Sequence, residues 1–182
     1  MIYILLGIMV LVGGYLIFTF NSFVSLKNKI KSAWSDIDVQ LKKRYDLIPQ
    51  LVKIVKGYAK HEQSTLEKVT EMRTAAMNSS TVLDKSHKEN MLSGALKSIF
   101  AVSENYPDLK ANQNFLQLQQ ELSEVEDDIQ MARRYYNGSV KQFNTKIQTF
   151  PNLLVAQGLG YKAENFFELE SDNERKVVDV KF

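Results

Sequence analysis

His61 and His87 are the only imidazoles in the chain, and there is no cysteine. Metal or nucleophile chemistry must therefore come from carboxylates, hydroxyls and these two rings. A di-metal carboxylate centre in a helical bundle takes two Glu-x-x-His pairs and two further carboxylates. The chain offers only Asp84-Lys85-Ser86-His87, beside a polar turn. His61 and Glu62 are adjacent, so on a helix they face different ways. No Gly-x-Ser-x-Gly elbow is present, and a serine triad needs an oriented histidine. Gly158-Leu159-Gly160 lacks the third glycine and the strand–helix setting of a nucleotide loop, and reads as a turn. The missing cysteine also excludes a disulfide framework, a thiolate metal site and a cysteine-linked acyl anchor. We expect no catalytic residue, no metal, no cofactor and no small-molecule substrate: this reads as a protein that is not an enzyme.

One polar cluster stands out: Trp34, Asp36, Arg44, Tyr45 and Asp46 early in the chain, and Arg133, Arg134, Tyr135 and Asn137 late in it. Two readings are open. One is an internal network, with an Arg of the last helix paired to an Asp of the first and tyrosine hydroxyls satisfied nearby. The other is a partner-docking surface, since Arg and Tyr are enriched at interface hot spots.

The elements that must carry these residues begin with an anchor. Residues 2–20, IYILLGIMVLVGGYLIFTF, contain no charge. A helix of that length rises about 28 Å, close to the hydrocarbon core of a bilayer. Tyr3, Tyr15, Phe18 and Phe20 lie towards its ends, where aromatic rings suit the interface. A cleaved signal peptide needs a basic leader and a small-residue cleavage site. Here no Lys or Arg precedes the apolar run and Asn21-Ser22-Phe23-Val24 follows it, so a transmembrane anchor over 1–20 is the better reading. Lys27, Lys29 and Lys31 flank its C-terminal end, which orients the N-terminus outside and residues 21–182 in the cytoplasm. These lysines are also candidates for contact with anionic lipid headgroups.

Beyond the anchor the periodicity is helical. Phe115, Leu122, Ile129, Tyr136, Phe143 and Phe150 recur at sevens, with Leu118, Val125 and Ala132 as a second seam that moves by one to Val140 and Ile147. Such a seam predicts one long helix packed along its length, over 108–149, started by Asp108 after Pro107 and ended at Phe150-Pro151. Gly138 lies in register and is read as a tolerated weak point. Leu92, Leu96, Ile99 and Val102 give a helix over 82–104. Phe23, Ile30 and Ile37 mark one earlier stripe, and Trp34, Leu41, Ile48 and Val55 another. Pro49 interrupts them, and Asp46 is placed to cap a new helix, so the reading is two helices, 22–45 and 47–77; the alternative is one helix kinked at Pro49. The expected fold is all-α: an N-terminal transmembrane helix, an antiparallel up-and-down four-helix bundle over 21–150, and a short tail over 151–182. In that tail 150–155 suggests one helical turn, and the alternation of Val178, Val180 and Phe182 suggests either a short strand or a frayed end.

With 23 Lys+Arg against 21 Asp+Glu, the 182-residue chain has a formal charge of +2, which argues against a nucleic-acid partner. The charge is uneven: 21–45 holds six basic and two acidic residues, and 104–128 seven acidic and one basic. Solvated helix faces with intramolecular pairing account for most of it.

Asn21-Ser22-Phe23-Val24 and the run from Ala33-Trp34-Ser35-Asp36 to Tyr45-Asp46-Leu47-Ile48-Pro49 resemble the LemA family of bacterial single-span membrane proteins. The resemblance continues at Val55-Lys56-Gly57-Tyr58-Ala59, His61-Glu62, Leu118-Gln119, Glu121-Leu122, Ala132-Arg133-Arg134-Tyr135-Tyr136-Asn137, Asn144, Phe150-Pro151 and Phe166-Phe167. It is looser around 78–90 and at Lys176–Phe182. It implies a four-helix bundle behind one membrane helix, in the bacterial inner membrane, with no established enzymatic activity and no catalytic residues to transfer. Family members are linked to membrane remodelling in magnetosome formation, and some are encoded beside a membrane metalloprotease. The expected function is a non-enzymatic, membrane-anchored scaffold or adaptor, with membrane lipid and either a protein partner or a homo-oligomer as its contacts. An intermolecular coiled coil along the seam is one route to self-association. The alternative is an accessory subunit of a membrane protease or envelope-stress system.

Because the chain has no native thiol, a Ser171→Cys variant reports topology directly. In intact cells it should resist a membrane-impermeant maleimide and react after permeabilisation; labelling without permeabilisation would reverse the orientation.

Overall fold

The computed structural model describes residues 1–167. All its regular elements are helices: α1 (Ile2–Tyr58), α2 (Gln63–Met77), α3 (Val82–Ser103), α4 (Pro107–Lys110), α5 (Gln113–Gln148) and α6 (Asn152–Gly158). Among the described residues there is no strand. The alternating stretch 176–182 lies outside them. The fold divides into two units. Unit one holds residues 1–38 and 131–166, and unit two holds 39–130 and Phe167.

The N-terminal apolar stretch forms the start of α1, with Ile4, Val10, Leu11 and Ile17 all exposed. It is apolar enough and long enough to cross a membrane.

The break expected between 45 and 47 is not there. α1 runs as one helix through Pro49, and the chain turns instead at Ala59–Glu62. Proline removes the N–H that would bond the carbonyl four residues back, here that of Tyr45. Arg73 of α2 supplies the substitute: its Nε–H donates to the Tyr45 carbonyl at 2.8 Å. The carbonyl is satisfied from outside the helix, so the helix survives its proline. Asp46 is accordingly no N-cap; it is exposed and pairs with Lys42 at 3.0 Å.

The long late helix also starts later than Asp108 suggests. Pro107 opens the four-residue α4, and α5 begins at Gln113. Asn112 caps it, its Oδ1 accepting the Phe115 N–H at 3.0 Å. Thr81 caps α3 in the same way, accepting from the Asp84 N–H at 3.2 Å.

In unit two, Leu41, Ile48, Leu51 and Val55 of α1 are buried, as are Val69 of α2, Leu92 and Ile99 of α3, Leu109 of α4 and Phe115 and Leu122 of α5. Each such side chain contributes about 1.5–3 kcal/mol by leaving water. In unit one the core comes from Phe23, Ile30, Ala33 and Ile37 of α1, Val140, Phe143 and Ile147 of α5, and Ala156 of α6. The heptad seam of α5 is buried from Phe115 to Phe143, but Phe150 is 75% exposed, because the helix has ended two residues before it. At the second seam the buried residue is Arg133, while Ala132 is half-buried. A straight helix drifts about 20° per heptad, which moves the inward face on by one position after a few turns.

The segment after α6 is pinned within unit one. Gly160 (φ +73°) closes a Schellman cap: its N–H donates to the Gln157 carbonyl and the Tyr161 N–H to that of Ala156. Tyr161 then stands edge-on to Phe23 and Phe143, with centroids at 5.2 and 6.0 Å. Asn144 clamps Glu164 from both sides, donating to its carbonyl and accepting its N–H, each at 2.9 Å.

The Pro49–Arg73 arrangement is testable as a double-mutant cycle. Arg73→Ala should cost about 1–2 kcal/mol in the native background. With Pro49→Ala the in-helix bond can form, and the same substitution should cost clearly less. Denaturant unfolding in detergent reads both, and equal costs would refute the compensation.

Candidate functional site

The most constrained polar site lies in unit two, around Arg44. This guanidinium is fully buried in the C-terminal half of α1. Its Nη2 donates to Glu89 of α3, and its Nη1 to Glu126 Oε2 of α5 at 2.6 Å and to Ser93 Oγ at 2.9 Å. The hydroxyl of the neighbouring Tyr45 donates to the other oxygen of Glu89. Glu126 is further held by Gln130 Nε2 at 3.1 Å. One arginine thus ties α1 to α3 and α5, while the Tyr45 carbonyl ties the same turn to α2.

Arginine suits this task because its planar fork holds two carboxylates at once and stays charged. That same property disqualifies it as a proton carrier. Glu89 has no solvent exposure, and Glu126 is about one-third exposed at the edge of a 230 Å³ cleft lined by Ser93, Lys97, Phe100 and Gln119. His61 and His87 are both exposed, whereas Arg44 and Glu89 are buried. Among the described residues no group of three or more His, Cys, Asp or Glu is arranged to hold a metal. Two tyrosine hydroxyls sit above their ordinary range. Tyr136 is raised first by burial and then by the nearby Glu164 carboxylate, and Tyr106 by burial and by Glu62, which accepts its hydrogen bond at 3.3 Å. Both stay protonated at neutral pH, so neither serves as a base.

The nine residues of the polar cluster are divided between the units. In unit two, Arg44 and Tyr45 are buried in the network and Asp46 is exposed. In unit one, Trp34 is half-buried, its ring 5.4 Å edge-on from Tyr136, and Arg133 is buried. Asn137 is half-buried, whereas Asp36, Arg134 and Tyr135 are exposed. The Tyr135 ring lies under the Lys29 ammonium at 5.5 Å. Lys29 also reaches Gln142 at 3.0 Å, Lys27 pairs with Glu164 at 3.4 Å and covers Tyr161, and Lys31 is exposed. Glu89, Ser93, Arg73 and Glu126 escape sequence reasoning. Each sits in an ordinary polar stretch, and the one available signal was a glutamate within the inward stripe of α3.

The LemA family model matches residues 33–182. The chain is 33% identical to "Protein LemA" of Metamycoplasma hominis, over 88% of this chain and 73% of that protein. It is 21% identical to "Magnetosome protein MamQ 2" of Paramagnetospirillum magneticum, over 90% of this chain and 70% of that protein. A similar match, at 19%, is to "Magnetosome protein MamQ" of Magnetospirillum gryphiswaldense, with the same two coverages.

Removing the cation from the buried cluster should be expensive and repairable. Arg44→Met leaves Glu89 without its cation and should lower stability by about 3–5 kcal/mol. Adding Glu89→Leu removes the orphaned carboxylate and should recover most of that loss. Failure of the second substitution to recover stability would mean the network contributes more than charge compensation.

Proposed function

The chain belongs to the LemA family, and on that premise we propose that it is a non-enzymatic scaffold or adaptor anchored in the bacterial cell membrane. The observation that carries this reading is α1 itself. Its first nineteen residues expose apolar side chains along a membrane-spanning length, and the same unbroken helix supplies core residues such as Ile37, Leu41 and Ile48. The polar site supports it too, since every charge there is engaged in holding helices rather than aimed at a substrate.

In this reading the helices after the anchor form an antiparallel bundle on the cytoplasmic side, with the N-terminus outside. An anchored bundle is confined to two dimensions, which raises its effective concentration for partners on the same membrane. Asp36, Arg134 and Tyr135 are the exposed members of the polar cluster in unit one and form the surface offered to a partner. The magnetosome proteins among the relatives support a role in organising membrane, with self-association as the means.

The test is extraction from native membranes in mild detergent, followed by light scattering and identification of co-purifying chains. A large assembly of this chain alone supports a scaffold. A fixed-ratio companion supports an adaptor, and Asp36→Ala or Tyr135→Ala should then release it without lowering stability. A solitary monomer would overturn both forms.

A further inference from the structure

Within unit one, α6 is tied to the apolar start of α1 by side-chain hydrogen bonds. Asn152, the first residue of α6, accepts a hydrogen bond through Oδ1 from the Tyr15 hydroxyl at 2.6 Å and another from the Thr19 hydroxyl at 3.4 Å. Thr19 is only 1% exposed, unlike the flanking Phe18 and Phe20. The Lys146 ammonium stands 5.9 Å from the Phe18 ring. Beside these contacts Phe150 and Leu154 are 75% and 60% exposed.

Length decides what covers those two side chains. The uncharged run 2–20 is about 28 Å of helix against a hydrocarbon layer of roughly 30 Å. With that run as the span, the Tyr15 backbone lies about 7–8 Å inside the layer's edge and that of Thr19 about 1–2 Å inside it. Asn152, bonded to both, lies between those depths.

We propose that the turn 150–154 and the start of α6 dip into the bilayer on the C-terminal side of the anchor, with Phe150 and Leu154 embedded among the lipids as a second, non-spanning membrane contact. The occupant of this apolar face is the bilayer, because the face is continuous with the lipid-facing surface of α1. The local chemistry suits the layer. The Asn152 Oδ1 accepts from both hydroxyls of α1. Pro151 has no N–H, and the Leu153 and Leu154 N–H groups are bonded to the Thr149 and Pro151 carbonyls. The Lys146 ammonium stands over the Phe18 ring near the layer's edge, a level at which long basic side chains keep their charge in the headgroup region. This inference rests on residues 2–20 spanning the membrane.

The test is nitroxide accessibility in the full chain, reconstituted in phosphatidylethanolamine–phosphatidylglycerol vesicles. Because there is no native cysteine, Phe150→Cys, Leu154→Cys, Val10→Cys and Ser80→Cys can each carry one label. The labels at 150 and 154 should lose relaxation by an aqueous nickel chelate relative to Ser80→Cys and keep relaxation by oxygen, as at Val10→Cys. Adding Asn152→Ala to Leu154→Cys should restore nickel access, with Val10→Cys unaffected. Full nickel access at 150 and 154 while Val10→Cys is shielded would overturn the proposal alone. Protection from both reagents would assign the face to protein and also overturn it. Nickel access at Val10→Cys would overturn the spanning reading, and this inference with it. Circular dichroism of each labelled chain confirms that the helices are retained.

Discussion

A guanidinium sealed from water dictates most of unit two. Arg44 has no solvent route to discharge its desolvation cost, so carboxylates must come to it, and they come from two other helices, Glu89 on α3 and Glu126 on α5. A buried ion pair of this kind adds little net stability over an apolar substitute, but any packing that separates its members is penalised heavily. Its effect is therefore selective. Apolar seams such as that of α5 tolerate sliding by a turn, since one leucine or isoleucine replaces another; a single Arg44 meeting single glutamates does not. Tyr45 extends the constraint, since its hydroxyl is bound to Glu89 and its carbonyl to Arg73.

Unit one is organised by different means. Its aliphatic core is joined by edge-on aromatic contacts, with Tyr161 between Phe23 and Phe143 and Trp34 against Tyr136. Its polar contacts are backbone clamps by side chains, notably Asn144 on Glu164 and the Tyr136 hydroxyl on the Asn165 carbonyl at 3.0 Å. The lysines that flank the anchor are partly committed to this unit through Glu164, Gln142 and the rings of Tyr161 and Tyr135. Their charge is held near the membrane helix instead of being left to sweep through solvent.

What could be read from the residues was whatever repeats locally. The anchor is a continuous apolar run, and the α5 seam is a period of seven, so both are visible without tertiary knowledge. The course of α1 at Pro49 was not, because what preserves the helix is a side chain 28 positions away. Arg44 and Tyr45 were noticed as unusual residues in a helical stripe, but their partners Glu89 and Glu126 look like any surface glutamate in sequence. The start signal at Pro107-Asp108 is used by α4, so α5 begins later than that signal suggests. Phe150 looked like the last residue of a core seam, yet the helix stops before it and leaves the ring outside.

The proline in α1 also sets an order of assembly. Translation produces the anchor and the turn around Pro49 well before Arg73, and at roughly 5–20 residues per second the 28 residues between Tyr45 and Arg73 take about one to six seconds. Until Arg73 docks, the Tyr45 carbonyl lacks the partner it has in the folded chain. Docking of α2 therefore completes the backbone hydrogen bonding of α1 at its proline. The arrival of one arginine thus marks the moment at which the gap left by the proline is closed from outside the helix.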